Sequence, residues 1–197
     1  MQLIKEITTD EMIGEFLKAE LHSSRFREGS LKALRMLGYT EELLEKPSYD
    51  DAIQNTKRAQ VLGLCRGWPD AELFTNFPKD TKWFACNMTL EEIKDTYRLK
   101  SEPDMTDSER LLLNTAKAVA ENKKVNNIDN KLIRDIAASL KANSSVPPII
   151  LVSTNLAGKK VLIEGHSRSV AYSLANLERN ISAIIGLSSE MSSWEYY

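Results

Sequence analysis

The residues best suited to chemistry stand in one short run, Ile163-Glu164-Gly165-His166-Ser167-Arg168-Ser169-Val170-Ala171-Tyr172. An apolar strand-like stretch stops, a glycine turns the chain, and a helical pattern begins at once. The first N–H groups of a helix have no internal partners and lie at the positive end of its dipole. A phosphate-like anion placed there gains several donors at little reorganisation cost. Gly165 lets the backbone approach closely, Ser167 offers a hydroxyl, and Arg168 offers a planar fork that matches phosphate oxygens. His166 is a candidate phosphate donor or acid–base group. Glu164 is a candidate to take a proton from a substrate hydroxyl or to help hold Mg²⁺. A structural reading of the same residues stays open beside this one: Ser167 caps the helix, His166 bonds the turn backbone, and Glu164 pairs with Arg168.

The elements around this turn follow from patterning. Pro148-Ile149-Ile150-Leu151-Val152 and Lys160-Val161-Leu162-Ile163 are β-branched runs joined by Asn155-Leu156-Ala157-Gly158, as in a hairpin with a medium-length loop. A helix is expected from Ser167 to about Asn176, with Ala171 facing the sheet, and then a strand over 181–185. Lys82 to Cys86 is a further strand. Thr89 with Glu92, and Thr106 with Glu109, form capping boxes, the second opening a helix through about Glu121. Asn126-Asn127 breaks the chain before an amphipathic helix whose inner face is Ile128, Leu132, Ile133, Ile136, Ala137 and Leu140.

The first eighty residues read as helices. Thr9 caps one with Met12, Ile13, Phe16, Leu17 and Leu21 inside. A second carries Leu31, Leu34 and Leu37 and ends at Gly38. Ser48 and Asp51 open a third, with Ile53 and Val61 inside and Gly63 at its end. The fold class expected is α+β, a small mixed sheet with flanking helices, preceded by a helical N-terminal region over 1–80, with the α+β domain over 81–197.

The run from Leu162 to Ala171 resembles the signature of the ParB/sulfiredoxin-like superfamily: an acidic residue, glycine, two variable residues, arginine, and a small residue in the following helix. The form most similar is the Asp-Gly-His-Thr-Arg run of free-serine kinases, matched by Glu164-Gly165-His166-Ser167-Arg168. The order of elements over roughly 82–187 is similar as well. The resemblance implies a nucleotide (ATP, ADP or CTP) with Mg²⁺ and phosphoryl transfer or nucleotide hydrolysis. In the kinase branch the matching acidic residue lies in the nucleotide or substrate pocket. Sulfiredoxins carry a cysteine directly after the motif glycine; His166 stands there, so peroxiredoxin repair is not expected. Partition proteins carry a further arginine where this chain has Ser167, and continue into a helix-turn-helix domain. This sequence reaches Tyr197 without one, so centromere binding and a CTP-gated clamp are not expected. ParB-like nucleases share the fold, which keeps a DNA-acting nuclease or accessory module as an alternative. A non-catalytic nucleotide sensor that binds a protein partner through residues 1–80 is another.

Composition narrows the classes. The chain has 197 residues, 42% hydrophobic and 27% charged, with a net charge of −2 and a pI near 5.8. No global field draws it onto nucleic acid, although a local basic groove is compatible with that balance. No apolar run is long enough to span a bilayer, and acidic residues come too early for a secretory leader, so the cytoplasm is the expected compartment. Cys65 and Cys86 lack metal-site spacing and read as buried free thiols. His22 and His166 are far apart in sequence, so no Ser-His-Asp constellation is argued, and a Walker loop is absent. Lys159 and Lys160 read as solvated loop residues. Arg66 and Trp68 read as a packed loop or the border of a substrate groove. Trp194, Tyr196 and Tyr197 read as an aromatic tail covering a sheet edge or helix, with stacking on a base as the alternative.

Overall fold

The computed structural model describes residues 1–101, 104–125, 129–142 and 146–197. The Asn126-Asn127 break and the inner-face assignment of Ile128 lie outside the described residues.

Five strands form one mixed sheet in the order β1 (Gln2–Ile7), β2 (Lys82–Met88), β5 (Ile181–Leu187), β3 (Ile149–Ser153) and β4 (Val161–Glu164). β3 and β4 pair antiparallel as the expected hairpin, whereas β3 and β5 run parallel. β2 is antiparallel to both β1 and β5. The architecture is α+β, a small mixed sheet flanked by helices.

Strand alternation sends side chains to two cores. Ile150, Val152, Val161, Ile163, Ile184 and Trp83 face the helical layer of α1 (Thr9–Leu21), α2 (Arg27–Leu37), α3 (Glu42–Glu45) and α4 (Ala52–Arg66). Ile149, Leu151, Leu162, Ala183, Ile185 and Cys86 face the opposite layer of α5 (Leu90–Lys94), α7 (Leu112–Ala120), α8 (Asn130–Lys141) and α9 (His166–Ala175). Both faces are buried, which is why β3 is apolar at almost every position and does not alternate.

The structure corrects the helical reading of the first eighty residues at their start. Gln2–Ile7 is an edge strand, hard to read because only Ile7 is buried. The cap of α1 is Thr8, not Thr9: the Glu11 N–H donates to the Thr8 hydroxyl, and the Thr8 N–H donates to the Glu11 carboxylate. α4 is capped by Asp51 and runs through Gly63 to Arg66, ending at left-handed Gly67. Ile53, expected inside, is exposed. The helix opened by Thr106 breaks at Leu111, which leaves the α region, so α6 (Asp107–Arg110) and α7 are separate.

The aromatic tail packs rather than projects. Trp194 is buried, sits edge-on to Phe77 at 5.1 Å, and its indole N–H donates to the Leu73 carbonyl at 3.2 Å. Lys159 is not solvated as expected: its ammonium lies 4.7 Å from the Tyr197 ring and 5.6 Å from the Tyr97 ring.

Candidate functional site

β4 delivers Glu164 to the sheet end, Gly165 turns the chain at φ 95°, and α9 starts with His166. The left-handed φ is one an L side chain resists. A Cβ on Gly165 would also meet Ile149 Cγ2 at 2.9 Å and Arg168 Nη2 at 3.0 Å. The glycine therefore allows both the turn and the close approach of Arg168. Ala171 is buried against the sheet as its size suggests.

At this turn opens a cavity of about 1170 Å³. One wall is cationic and comes from distant parts of the chain: Lys18 of α1, Arg25 before α2, Arg66 at the end of α4, Arg98, and Arg168 of α9. The acidic side chains in the wall are Glu15, Asp129 and Glu164. Another wall is apolar, with Leu132 and Ile136 of α8 followed by Val146, Pro147 and Pro148 ahead of β3. A protein of net charge −2 has thus gathered five cations around one hollow. His22 and His166, distant in sequence, line the same cavity.

The five motif residues come together but differ in availability. Arg168 is about one-tenth exposed, and its Nη2 donates to the Pro148 carbonyl at 3.2 Å and to Glu164 at 3.3 Å. Its Nε is buried without a hydrogen-bond partner. Glu164 is buried, and desolvation raises its pKa, opposed by Arg168, Arg66 and the Gly165 N–H. His166 keeps some surface in the cavity. Dehydration first, then the charges of Arg98, Arg25, Arg168 and Arg66, lower its pKa to about 3. Its imidazole is therefore neutral across the physiological range and gives up no proton as a resting acid. Ser167 lines the cavity beside it.

Of the other candidates, Arg66 borders the cavity, while Trp68 turns away to pack edge-on against Phe74 at 4.8 Å. Sequence reasoning did not find Lys18, Arg25 and Arg98, nor Glu20 behind them. Glu20 is buried, and Arg66 Nε donates to it at 2.5 Å across a separation of 46 residues. Burial first, then the neighbouring Glu164, raise its pKa to about 7 against the opposing pull of Arg66. Both cysteines are free; Cys86 is buried and Cys65 partly so, and burial pushes each thiol up to about 11. Neither is a reactive thiolate near neutrality.

Among the described residues, no three His, Cys, Asp or Glu side chains gather as a metal site. No described helix is long and apolar enough to cross a membrane. No family model, curated protein or solved structure matches the chain.

Proposed function

We propose that the cavity binds a nucleotide, with one phosphate at the first turn of α9 and the base against the apolar wall of Leu132, Ile136, Val146 and Pro148. The observation that carries this reading is that four arginines, Arg25, Arg66, Arg98 and Arg168, line the cavity onto which the first turn of α9 opens. Oriented N–H groups and guanidinium forks are the donors that phosphate oxygens take best. The cavity volume of about 1170 Å³ also suits a ligand larger than inorganic phosphate.

The reaction class proposed is phosphoryl transfer or nucleotide hydrolysis, as the resemblance to the ParB/sulfiredoxin-like superfamily implies. Such chemistry needs mainly orientation and charge neutralisation. His166, neutral and beside the phosphate, accepts the proton of an attacking hydroxyl once bound phosphate offsets the arginine charges. Glu164 holds Arg168 and is the second candidate acid–base group. Among the described residues no three His, Cys, Asp or Glu side chains form a cation cage, so Mg²⁺ would be carried mainly by the phosphates, with Glu164 as the candidate carboxylate. The commitment of Glu164 to Arg168 favours a second reading, a nucleotide sensor that uses the same cavity without turnover.

A thermal-shift panel of ATP, ADP and CTP, with and without Mg²⁺, tests binding. A ligand at a hundred times its Kd stabilises by about 2.7 kcal/mol. The absence of any shift at millimolar nucleotide would reject the reading. Turnover with serine or water as acceptor, abolished in Glu164→Gln and His166→Ala while binding persists, selects the enzyme. Binding without turnover selects the sensor.

A further inference from the structure

Two of the cavity's arginines are held in different ways. Arg168 is occupied: its Nη2 serves the Pro148 carbonyl and the Glu164 carboxylate, and this ties α9 to β4 and to the segment entering β3. Arg66 is held from behind. Its Nε and Nη2 both engage one oxygen of Glu20, which is 1% exposed. One face of its guanidinium lies on the Phe26 ring, 4.0 Å from the centroid. Its Nη1 donates to no described residue, and about a quarter of the side chain is exposed, in the cavity wall. Its charge reaches both Glu164 and His166. A guanidinium gripped on one edge, covered on one face and open on the remaining edge is preorganised for an anion.

We propose that Arg66, rather than the motif arginine, is the residue that selects ligands carrying two or more linked phosphates, and that Glu20 is its positioning residue. The first phosphate takes the N-terminus of α9, and the next takes the open edge of Arg66. This gives the N-terminal helices a defined contribution. α1 supplies the buried carboxylate, α4 supplies the arginine at its last turn, and the segment before α2 supplies the ring on which it lies. The cation responsible for phosphate number thus comes from outside the strand–turn–helix motif.

The inference rests on the nucleotide reading, so its test carries pyrophosphate as an independent probe. Titration calorimetry with AMP, ADP, ATP and pyrophosphate is run on the wild type, Arg66→Gln, Arg66→Lys, Glu20→Gln and the double variant Glu20→Gln/Arg66→Gln. The double variant removes both charges, so its folding does not suffer from an unpaired buried carboxylate. The expected result is that ADP and ATP bind the wild type about tenfold or more tighter than AMP, the usual return on a charge-assisted bidentate contact. In both glutamine variants that preference collapses, because ADP and ATP lose far more affinity than AMP, and Arg66→Lys recovers part of it. Glu20→Gln alone keeps the arginine but loosens it, lowering the ADP preference. A folded double variant that keeps the wild-type preference overturns the proposal, as does an equal loss of AMP and ADP. Pyrophosphate binding that depends on Arg66, with no binding of any nucleotide, supports the role of Arg66 and overturns the nucleotide reading. Failure of all four probes overturns both.

Discussion

On the side of the sheet turned toward α1–α4, large apolar residues share the interior with ionic groups: Arg58 is fully buried, Glu20 nearly so, and Asn55 lies beside Arg58. On the side turned toward α5 and α7–α9, the interior is Leu151, Leu162, Ile185, Leu140 and Val170, with Thr115 and Ser169 as buried polar residues of α7 and α9. The first layer is located by directional contacts and the second by volume. Arg58 shows how: it donates to the Ser48 carbonyl at 2.8 Å and to Asn55, fixing the chain between α3 and α4. A layer built in this manner can hold charges at chosen places, which is what a cationic cavity wall requires. A layer filled by volume gives the motif helix α9 a stiff seat. The cavity lies where the two meet.

The contrast predicts different responses to substitution. The largest effect is expected from Leu151→Ala, fully buried on β3 in the apolar interior. A cavity left by such a truncation costs about 2–5 kcal/mol, read as a shift in urea midpoint that is the same at pH 5 and pH 8. Arg58→Ala should cost about 3 kcal/mol, because the Ser48 carbonyl and the Asn55 amide lose a charged donor. If it were neutral, the ionic layer would be held by volume after all, and the contrast would fail.

Next comes pH. The Glu20 carboxyl is raised in the folded protein to about 7, so its stabilising contribution is complete below about 4.5 and is lost as pH rises through about 7. His166 acts in the opposite sense: its lowered pKa costs stability as pH falls below about 6.5 toward 3. The difference between wild-type and Glu20→Gln melting curves from pH 5 to pH 8 isolates the carboxyl, and the variant should gain on the wild type as pH rises. A flat difference would remove Glu20 from the account. The smallest effect is expected at the exposed cap of α6, where Thr106→Ala should cost about 1 kcal/mol and leave ligand binding unaltered.

What the sequence discloses follows the range of the forces involved. The capping boxes of Thr89 and Thr106 and the turn at Gly165 involve residues three or four apart, and all are legible. Thr8 is easily mistaken for its neighbour because adjacent threonines offer the same hydroxyl, and only the spacing to Glu11 separates them. Gly63 reads as a helix end although α4 passes through it; a Cβ there would lie 3.0 Å from the Trp68 carbonyl, so close approach of the following loop explains the glycine. β1 escapes notice because a sheet-edge strand with one buried side chain has almost no apolar signature. The motif side of the site is readable as a contiguous run. Of the cationic wall only Arg66 is named from the sequence, and only as one of two readings, because Lys18, Arg25 and Arg98 join it through tertiary packing and a lone cation looks like any solvated one.

The strand order has a consequence for the order of events during synthesis. β1 and β2 form one antiparallel pair and β3 and β4 another, and β5 alone bridges them, hydrogen-bonded to β2 on one side and β3 on the other. Yet β5 is the last of these five strands to leave the ribosome. Until residues 181–187 emerge, the two half-sheets share no ladder, and the facing edges of β2 and β3 stay open to pairing with other chains. A nascent chain stalled before Ile181 should therefore engage holding chaperones and resist compaction, and one in which residues 181–197 have emerged should close quickly into a protease-resistant form.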